Sequence, residues 1–304
     1  MSRRIAIITD DPGWHGKELH KAFNARGYHC TNVSLTDCYL RTGSEGDSLF
    51  IPGFEGTLPA GVFVRGVPGG TLEEVVFYLD ILHALRELNV FVYNDARAIE
   101  RSVDKGMTSF LLEQSGLATP PTWVGNHVHQ AYSFIRKQLE LGCKVVIKPL
   151  FGSQGKNLQL ISRHSDLTNF EVYNKIYYLQ KYIDTGTKEA HDWRLFVIGG
   201  QVVAAMRRQS SSWITNVAAG GKCYPAVLDE EFAEIARAAV RTVRMYYGGV
   251  DIIRDHDGKL WITEVNSIPA WRGLQSVSGV TVAERLVTHF LDRLQHCSGV
   301  EQAI

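Results

Sequence analysis

Apolar and polar positions recur along this chain with two periods, and the switches between them mark out its elements. Arg4 to Thr9 is an apolar, β-branched run that breaks at Asp10-Asp11-Pro12-Gly13, which predicts a strand and a turn. Gly16 to Arg26, closed by Gly27, predicts a short helix, and Tyr28 to Leu35 a second strand. Asp37 to Gly61 is rich in Gly, Ser, Pro and acid and reads as a loop of limited structure, after which Gly61 to Val67 restores a strand. Thr71 opens a helix in which Glu74 completes a capping box, with Leu72, Val75, Val76, Leu79, Leu82 and Leu85 on the predicted apolar face. Asn89 to Tyr93 follows as a strand. Strands and helices alternating in this way predict an open parallel sheet, whose ligands sit beyond the carboxyl ends of its strands. A first domain then closes near residue 95.

From Ser102 a helix runs through Asp104-Lys105-Gly106-Met107 to Gly116, with Pro120 and Pro121 beyond it. Trp123 starts a strand, His129 to Leu141 is helical, and Lys144 to Lys148 is a buried strand. Leu158 to Ile161, Tyr177 to Ile183, Asp192 to Ile198 and Gln201 to Met206 also read as strands, and Arg208 to Gly221 as a polar loop. Asp229 caps a helix expected to run to Gly248. Glu230 and Glu231 sit in its positive first turn, and Phe232, Ile235, Ala236, Ala239, Val240 and Val243 form its apolar face. Thr281 with Glu284 caps a last helix that ends near Gln295.

Between the last two helices lies a hairpin. Val250, Ile252 and Ile253 make one apolar strand, Leu260 to Val265 another, and Asp255 to Lys259 carries an Asp-Gly turn signal. Alternation puts Glu264 and Asn266 on one side of their strand, and pairing brings Asp251 opposite them. Three short oxygen-bearing side chains at one place suit Mg²⁺, which keeps phosphate or water as its other ligands. The same alternation describes any half-buried strand with a solvated face, so spacing alone leaves both readings open. A second candidate is the run Gly152-Ser153-Gln154-Gly155 between two strands, a hairpin flap whose backbone N–H groups could approach phosphate oxygens. Lys148 stands just before it, at the end of an apolar strand, where it needs solvent or an anion. An ordinary hairpin turn would have the same composition.

Composition narrows the classes. At 304 residues, with 45% hydrophobic and 21% charged residues, the chain is long enough for two domains and ordinary for a soluble globular protein. Lysine plus arginine equals aspartate plus glutamate at 32 each, so no global charge points to nucleic acid or a membrane surface. No run reaches the roughly 18 apolar residues of a membrane span. The five cysteines are scattered, without a C-x-x-C pair, which disfavours a disulfide scaffold or zinc site and fits a cytoplasmic location. Neither G-x-G-x-x-G nor the Walker A spacing occurs, which disfavours a Rossmann dinucleotide site and a P-loop.

The order of the motifs carries a resemblance. Lys105 on a helix is followed by Val145-Val146-Ile147-Lys148-Pro149, the glycine loop, Leu179-Gln180-Lys181-Tyr182-Ile183, Asp192-Trp193-Arg194 and Arg207-Arg208. Asn216 with Gly220-Gly221, Gly249-Val250-Asp251 and Glu264-Val265-Asn266 complete the series. Over about residues 95 to 295 this resembles the ATP-grasp ligases, and most of all their RimK-like branch, which joins an amino acid to a carboxylate. The resemblance implies an α/β and α+β protein of ATP-grasp fold. An N-terminal βαβ pre-ATP-grasp domain (1–95) would precede a subdomain with the glycine-rich flap (96–185) and one with the metal site (186–304), the last two clasping ATP.

Carried onto these residues, the resemblance implies that Lys105 and Lys148 bind ATP phosphates beneath a flap that includes Gly152, Ser153, Gln154 and Gly155. Lys181, Tyr182 and Ile183 would form the adenine hinge, and Asp192 would hold nucleotide or neighbouring basic groups. Asp251, Glu264 and Asn266 would hold two Mg²⁺ (or Mn²⁺) ions. Arg207 or Arg208, with Asn216 counted among the catalytic residues, would steady the reacting carboxyl. The implied reaction converts a carboxylate to an acyl phosphate, which an amine attacks to give an amide, ADP and phosphate. Partners would be an amino acid, L-glutamate among the candidates, and a small-molecule, cofactor-precursor or peptide carboxylate acceptor. A homo-oligomer is expected. Two other functions remain open at this point: a small-molecule kinase, and a non-catalytic nucleotide-binding regulatory module. Glutamate-adding relatives carry basic residues around Trp213 to Gly221. Here Ile214, Ala218 and Ala219 stand there, and the nearest cations are Arg207, Arg208 and Lys222. Trp213, Trp271 and Arg272 could line a pocket for an aromatic acceptor.

Overall fold

The structure is a computed structural model that describes residues 4–43, 48–152, 155–168, 175–227 and 229–299. It opens with β1 (Arg4–Ile8), α1 (Gly13–Asn24) and β2 (His29–Val33), then the short antiparallel pair β3 (Tyr39–Leu40) and β4 (Leu49–Phe50). β5 (Gly61–Val64), α2 (Leu72–Glu87) and β6 (Phe91–Tyr93) follow. The sheet is parallel, in the order β2-β1-β5-β6. Ile5 to Ile8 are all buried because helices cover both faces. The stretch read as a loop of limited structure thus holds a small hairpin, and Leu49, Ile51 and Phe54 bury against the sheet.

The capping box on α2 is present: Glu74 N–H donates to the Thr71 hydroxyl at 3.3 Å and Thr71 N–H to the Glu74 carboxylate at 2.7 Å. Its buried face differs from the expected one. Tyr78, Ile81, Leu82 and Leu85 face the sheet, while Leu72 is 76% exposed and Val76 47%. The helix carries apolar residues nearly all round, so only the position of the sheet selects the stripe.

The middle of the chain comprises α3 (Ala96–Val103), α4 (Lys105–Gln114), β7 (Thr122–Gly125), α5 (Val128–Glu140), β8 (Val145–Lys148), β9 (Gln159–Ile161) and β10 (Tyr177–Lys181). The four strands form an antiparallel sheet ordered β7-β10-β8-β9, against which Ala131 and Ile135 of α5 pack. The single helix expected from Ser102 is instead two. Asp104 ends α3 and caps α4, its carboxylate accepting from Met107 N–H at 3.0 Å, so Lys105 opens the second helix.

The remainder is β11 (Ala190–Ile198), β12 (Gln201–Ser210), β13 (Lys222–Pro225), α6 (Glu230–Val243), β14 (Tyr247–Arg254), β15 (Leu260–Asn266), α7 (Arg272–Ser278) and α8 (Val282–Gly299). The antiparallel sheet runs β13-β12-β11-β14-β15, so Arg208 lies on a strand rather than in a loop. α6 covers one face through Phe232, Ala236, Ala239, Val240 and Val243. It stops at Arg244, in the left-handed conformation with φ of 64°, and Gly248 belongs to β14. On the other face Phe290 of α8 packs among Phe23, Phe63, Phe91 and Tyr93, joining this sheet to the parallel one. Asn94 ties the same junction: its amide donates to the Tyr247 and Ser267 carbonyls at 2.7 and 2.9 Å. No helix among the described residues is long and apolar enough to cross a membrane.

Candidate functional site

The two antiparallel sheets face each other across a cleft that is partly open to solvent. β8 and β10 form one wall. Lys148, the last residue of β8, donates to the Gln180 side-chain oxygen at 2.6 Å, and the Gln180 amide is oriented by Thr122 and Tyr178, both at 3.0 Å. Loss of water around Lys148 pulls its pKa from 10.5 to about 8, against the opposing pull of Glu264. Lys105, at the positive first turn of α4, donates to the carbonyls of Gly152 (2.7 Å) and Leu150 (3.3 Å) and so ties down the base of the glycine loop. Burial lowers its pKa as well, with Glu264 and Asp104 opposing. Both lysines border the cleft, where each is ready to trade a neutral oxygen for an anionic one.

Gly155 meets Asn216 at the rim of the cleft. With φ of 71° and an ideal Cβ only 2.8 Å from the Asn216 side-chain oxygen, this position strongly favours glycine. The expected flap residues Ser153 and Gln154 lie outside the described residues. Of the expected hinge, Lys181 N–H already donates to Pro121 at 2.8 Å and Tyr182 N–H to Lys144 at 2.9 Å. Hinge contacts from these residues therefore fall to the Ile183 N–H and to carbonyls.

The opposite wall holds a buried charge network. Asp192 and Arg194 are two apart on β11 and share a face. Strand pairing sets Asp192 opposite Arg208 of β12, and Arg194 opposite Asp251 of β14. Arg194 grips Asp251 with two bonds of 2.5 Å each, and Arg208 donates to both oxygens of Asp192, one at 2.8 Å. Arg208 also reaches Asp251 at 2.9 Å, and the Thr215 hydroxyl donates to Asp192 at 2.8 Å. Two cations against two anions leave the network neutral, which is how four charges stay buried. Burial would raise the Asp251 pKa, but the two guanidiniums outweigh it and hold it at about 2.

Across the hairpin Asp251 pairs with Glu264, and Gly249 with Asn266. The Glu264 carboxylate borders the cleft and makes no ion pair or hydrogen bond among the described residues. The Asn266 amide nitrogen is buried without a partner. The Glu264 carboxylate and the Asn266 side-chain carbonyl are hard oxygen donors of the kind Mg²⁺ takes, whereas the orphaned amide nitrogen is a hydrogen-bond donor and no metal ligand. Asp251 keeps one unused lone pair on Oδ1, since the guanidiniums occupy the other positions. Among the described residues no group of three or more acid, histidine or cysteine ligands forms a closed cage, so phosphate oxygens would have to complete the coordination. The residues fit Mg²⁺ held jointly with a nucleotide.

Two expected residues are placed elsewhere. Arg207 lies on the other face of β12, its guanidinium 5.6 Å over the Tyr224 ring, because neighbours on a strand point oppositely. Trp271 has no exposed surface and packs on Phe196 and Trp14, so it offers no ring to a ligand, whereas Trp213 does border the cleft. Arg194, Gln180 and Thr215 are site residues that sequence reasoning passed over. The signal for Arg194 was present, since Asp-x-Arg on a strand puts both charges on one face.

Comparison with known proteins accords with this geometry. A family model described as the RimK-like ATP-grasp domain matches residues 102–290. The chain is 34% identical over 236 residues to the tetrahydromethanopterin:α-L-glutamate ligase of Methanococcus maripaludis, covering 76% of this chain and 78% of that protein. A probable α-L-glutamate ligase of Shewanella amazonensis is 29% identical over 94% of each chain. Among solved structures, the ATP-grasp ligase PsnB with its minimal precursor superimposes with a TM-score of 0.72 at 19% identity, covering 96% of this chain and 99% of that one. Another structure of PsnB holds precursor, Mg and ADP. With the matched domain spanning every charged residue of the cleft, the chain belongs to the RimK-like ATP-grasp family and is an ATP-dependent ligase.

Proposed function

We propose that this enzyme joins an amino acid, with L-glutamate the first candidate, to a small-molecule carboxylate through an acyl phosphate. The division into units at 1–95, 96–185 and 186–304 is part of the same reading. A carboxylate is a poor acylating group because its leaving group is oxide; phosphorylation supplies a good one. Lys105 and Lys148 would bind the triphosphate and neutralise charge on the transferred phosphoryl group. Glu264 and Asn266, with the free lone pair of Asp251, would hold Mg²⁺, which would act as a Lewis acid and offset phosphate charge. Arg208, held by Asp192 and Asp251 through Nε and Nη2, would offer its remaining Nη1 N–H groups to the tetrahedral oxyanion formed when the amine attacks, with Arg194 holding Asp251 in place. The loop around Gly155, closing on Asn216, would exclude the water that hydrolyses an acyl phosphate. The relatives named as glutamate ligases support glutamate as the incoming amino acid, and the tetrahydromethanopterin-directed one makes a pterin-bearing acid the first acceptor to try.

The observation that carries this reading is the unpaired Glu264 carboxylate, set between two lysines and opposite Asp251 on one hairpin. The test is ADP and phosphate release from Mg-ATP with a panel of amino acids and acceptors, with mass spectrometry of products. An amide and ADP from the wild type, both lost in Glu264→Ala, is the expected result. AMP in place of ADP would sink the acyl-phosphate step, and a phosphorylated acceptor without amide would make the protein a kinase.

A further inference from the structure

A second charged cluster lies at the edge of the parallel sheet, outside the nucleotide cleft. In the order β2-β1-β5-β6 the chain changes direction between β1 and β5, and the crevice beyond their carboxyl ends is where open α/β sheets take ligands. Arg65 is the first residue after β5, and Trp14 and His15 lie in the first turn of α1, just after β1. Arg272 opens α7 and comes to the same place from the other side, its guanidinium 6.0 Å from the Trp14 ring.

The cations here differ from those of the cleft. The charges of Arg194 and Arg208 are balanced by Asp251 and Asp192, but neither Arg65 nor Arg272 makes an ion pair among the described residues. Arg65 is the more telling. Its Nη1 donates to the Ile268 carbonyl at 3.2 Å, its guanidinium lies 4.9 Å over Trp271, and its Nε is buried with no partner. A guanidinium drawn this far from water without a counter-ion is costly, and burial lowers its pKa. His15 adds a neutral donor. Its Nε2 accepts the Trp271 backbone N–H at 3.2 Å, so the ring proton of the neutral form is on Nδ1. Burial, then the charges of Arg65 and Arg272, keep its pKa near 4, with exposed Asp11 only weakly opposing. Two unpaired guanidiniums and an imidazole N–H, without a committed acid, await an anion.

This cluster is joined to the reaction centre by one short segment. Residues 266–272 lead from Asn266 past Ile268, which Arg65 holds, to Arg272. Within it Pro269 packs against Gly249, whose ideal Cβ would lie 2.8 Å from the proline ring and 3.7 Å from the Arg194 side chain. The segment therefore packs beside the strand pair that carries Arg194 and Asp251. Incoming L-glutamate reacts through its amine, so both of its carboxylates stay ionised and each is favoured by a fixed guanidinium. Arg207 faces away, and the charge of Arg208 is already balanced by Asp192 and Asp251, which leaves Arg65 and Arg272.

Resting on the ligase reading and naming a substrate group for it, we propose that Arg65, Arg272 and His15 seat a non-reacting substrate carboxylate, in first place one belonging to the incoming L-glutamate. The acceptor is the other possible source of that group.

The test uses Arg272→Gln, whose parent side chain is exposed, together with Arg65→Gln and the conservative Arg65→Lys. ATP binding by calorimetry checks each fold and should match wild type. In steady-state ligation with Mg-ATP, the KM for L-glutamate should rise about tenfold to a hundredfold in the glutamine variants, the loss expected for a charged hydrogen bond, with Arg65→Lys between. The wild-type preference for L-glutamate over L-glutamine should narrow in parallel. A rise confined to the acceptor KM assigns the seat to the acceptor carboxylate. Unchanged KM for both substrates with normal ATP binding overturns the seat and leaves the ligase standing. If the wild type makes no amide with any amino acid, the ligase reading falls first. Titration of L-glutamate into wild type and Arg272→Gln then decides the seat alone: weaker binding in the variant keeps it, equal binding or none removes it.

Discussion

Arg208→Met would show how the far wall of the cleft is held. The substitution keeps an aliphatic side chain but removes both bonds to Asp192 and the 2.9 Å contact to Asp251. Asp251 retains its two bonds from Arg194, whereas Asp192 is left with the Thr215 hydroxyl at 2.8 Å. One buried carboxylate thus loses its cation. Breaking a buried pair from one side costs about 3–5 kcal/mol, and because Asp192 borders an open cleft that water can enter, the lower end of about 3 kcal/mol applies. For a chain of 304 residues at about 2.1 cal/mol/K each, that is a fall of about 5 °C in Tm. Thermal denaturation of four proteins closes the argument: wild type, Arg208→Met, Asp192→Asn and the double variant. The double variant removes both charges and should recover at least half of the loss, since no bare carboxylate remains. A single variant within about 1 kcal/mol of wild type, or a double variant no better than Arg208→Met, would refute the view that the network's neutrality keeps these charges buried.

Two further outcomes follow from the same geometry. Lys148 has a pKa near 8 in the free protein, so its ammonium is lost as the pH rises through 8 and is restored when a triphosphate docks against it. At about pH 8.5, ATP binding should then take up a proton, seen as heat that varies with the buffer, and Lys148→Met should abolish that variation while weakening ATP. Gly221→Ala places a Cβ 2.0 Å from the Thr215 carbonyl oxygen, a backbone atom that cannot swing aside. It should displace Thr215 and Asn216 together, lower stability by about 1–3 kcal/mol in denaturation and reduce kcat through the lost Thr215–Asp192 bond.

Local chemistry was legible wherever one strand or one helix end decides it. The Thr71–Glu74 box and the Asp229 cap form because the groups that satisfy them are a turn away. The pairing of Asp251 with Glu264 follows from a short turn and a two-residue period. The motif order likewise brought Lys105, Lys148, Asp251 and Glu264 to one cleft. Elements where several local solutions compete were not settled: the buried stripe of α2, the stop of α6 at Arg244, and the break at Asp104.

By itself, then, the sequence determined most of the longer strands, the Asp251–Glu264 hairpin and the family, because periodicity and turn chemistry act over a few residues. Only the tertiary structure decided which of two adjacent arginines enters the cleft, since that depends on which face of the five-stranded sheet lines it. It alone showed that Asp251 is shared by Arg194 and Arg208, 57 and 43 residues away along the chain, and that Trp271 is core rather than a ligand platform. The unpaired Arg65 is of the same kind. A charge lacks a partner only with respect to everything folded around it, and no local pattern carries that information.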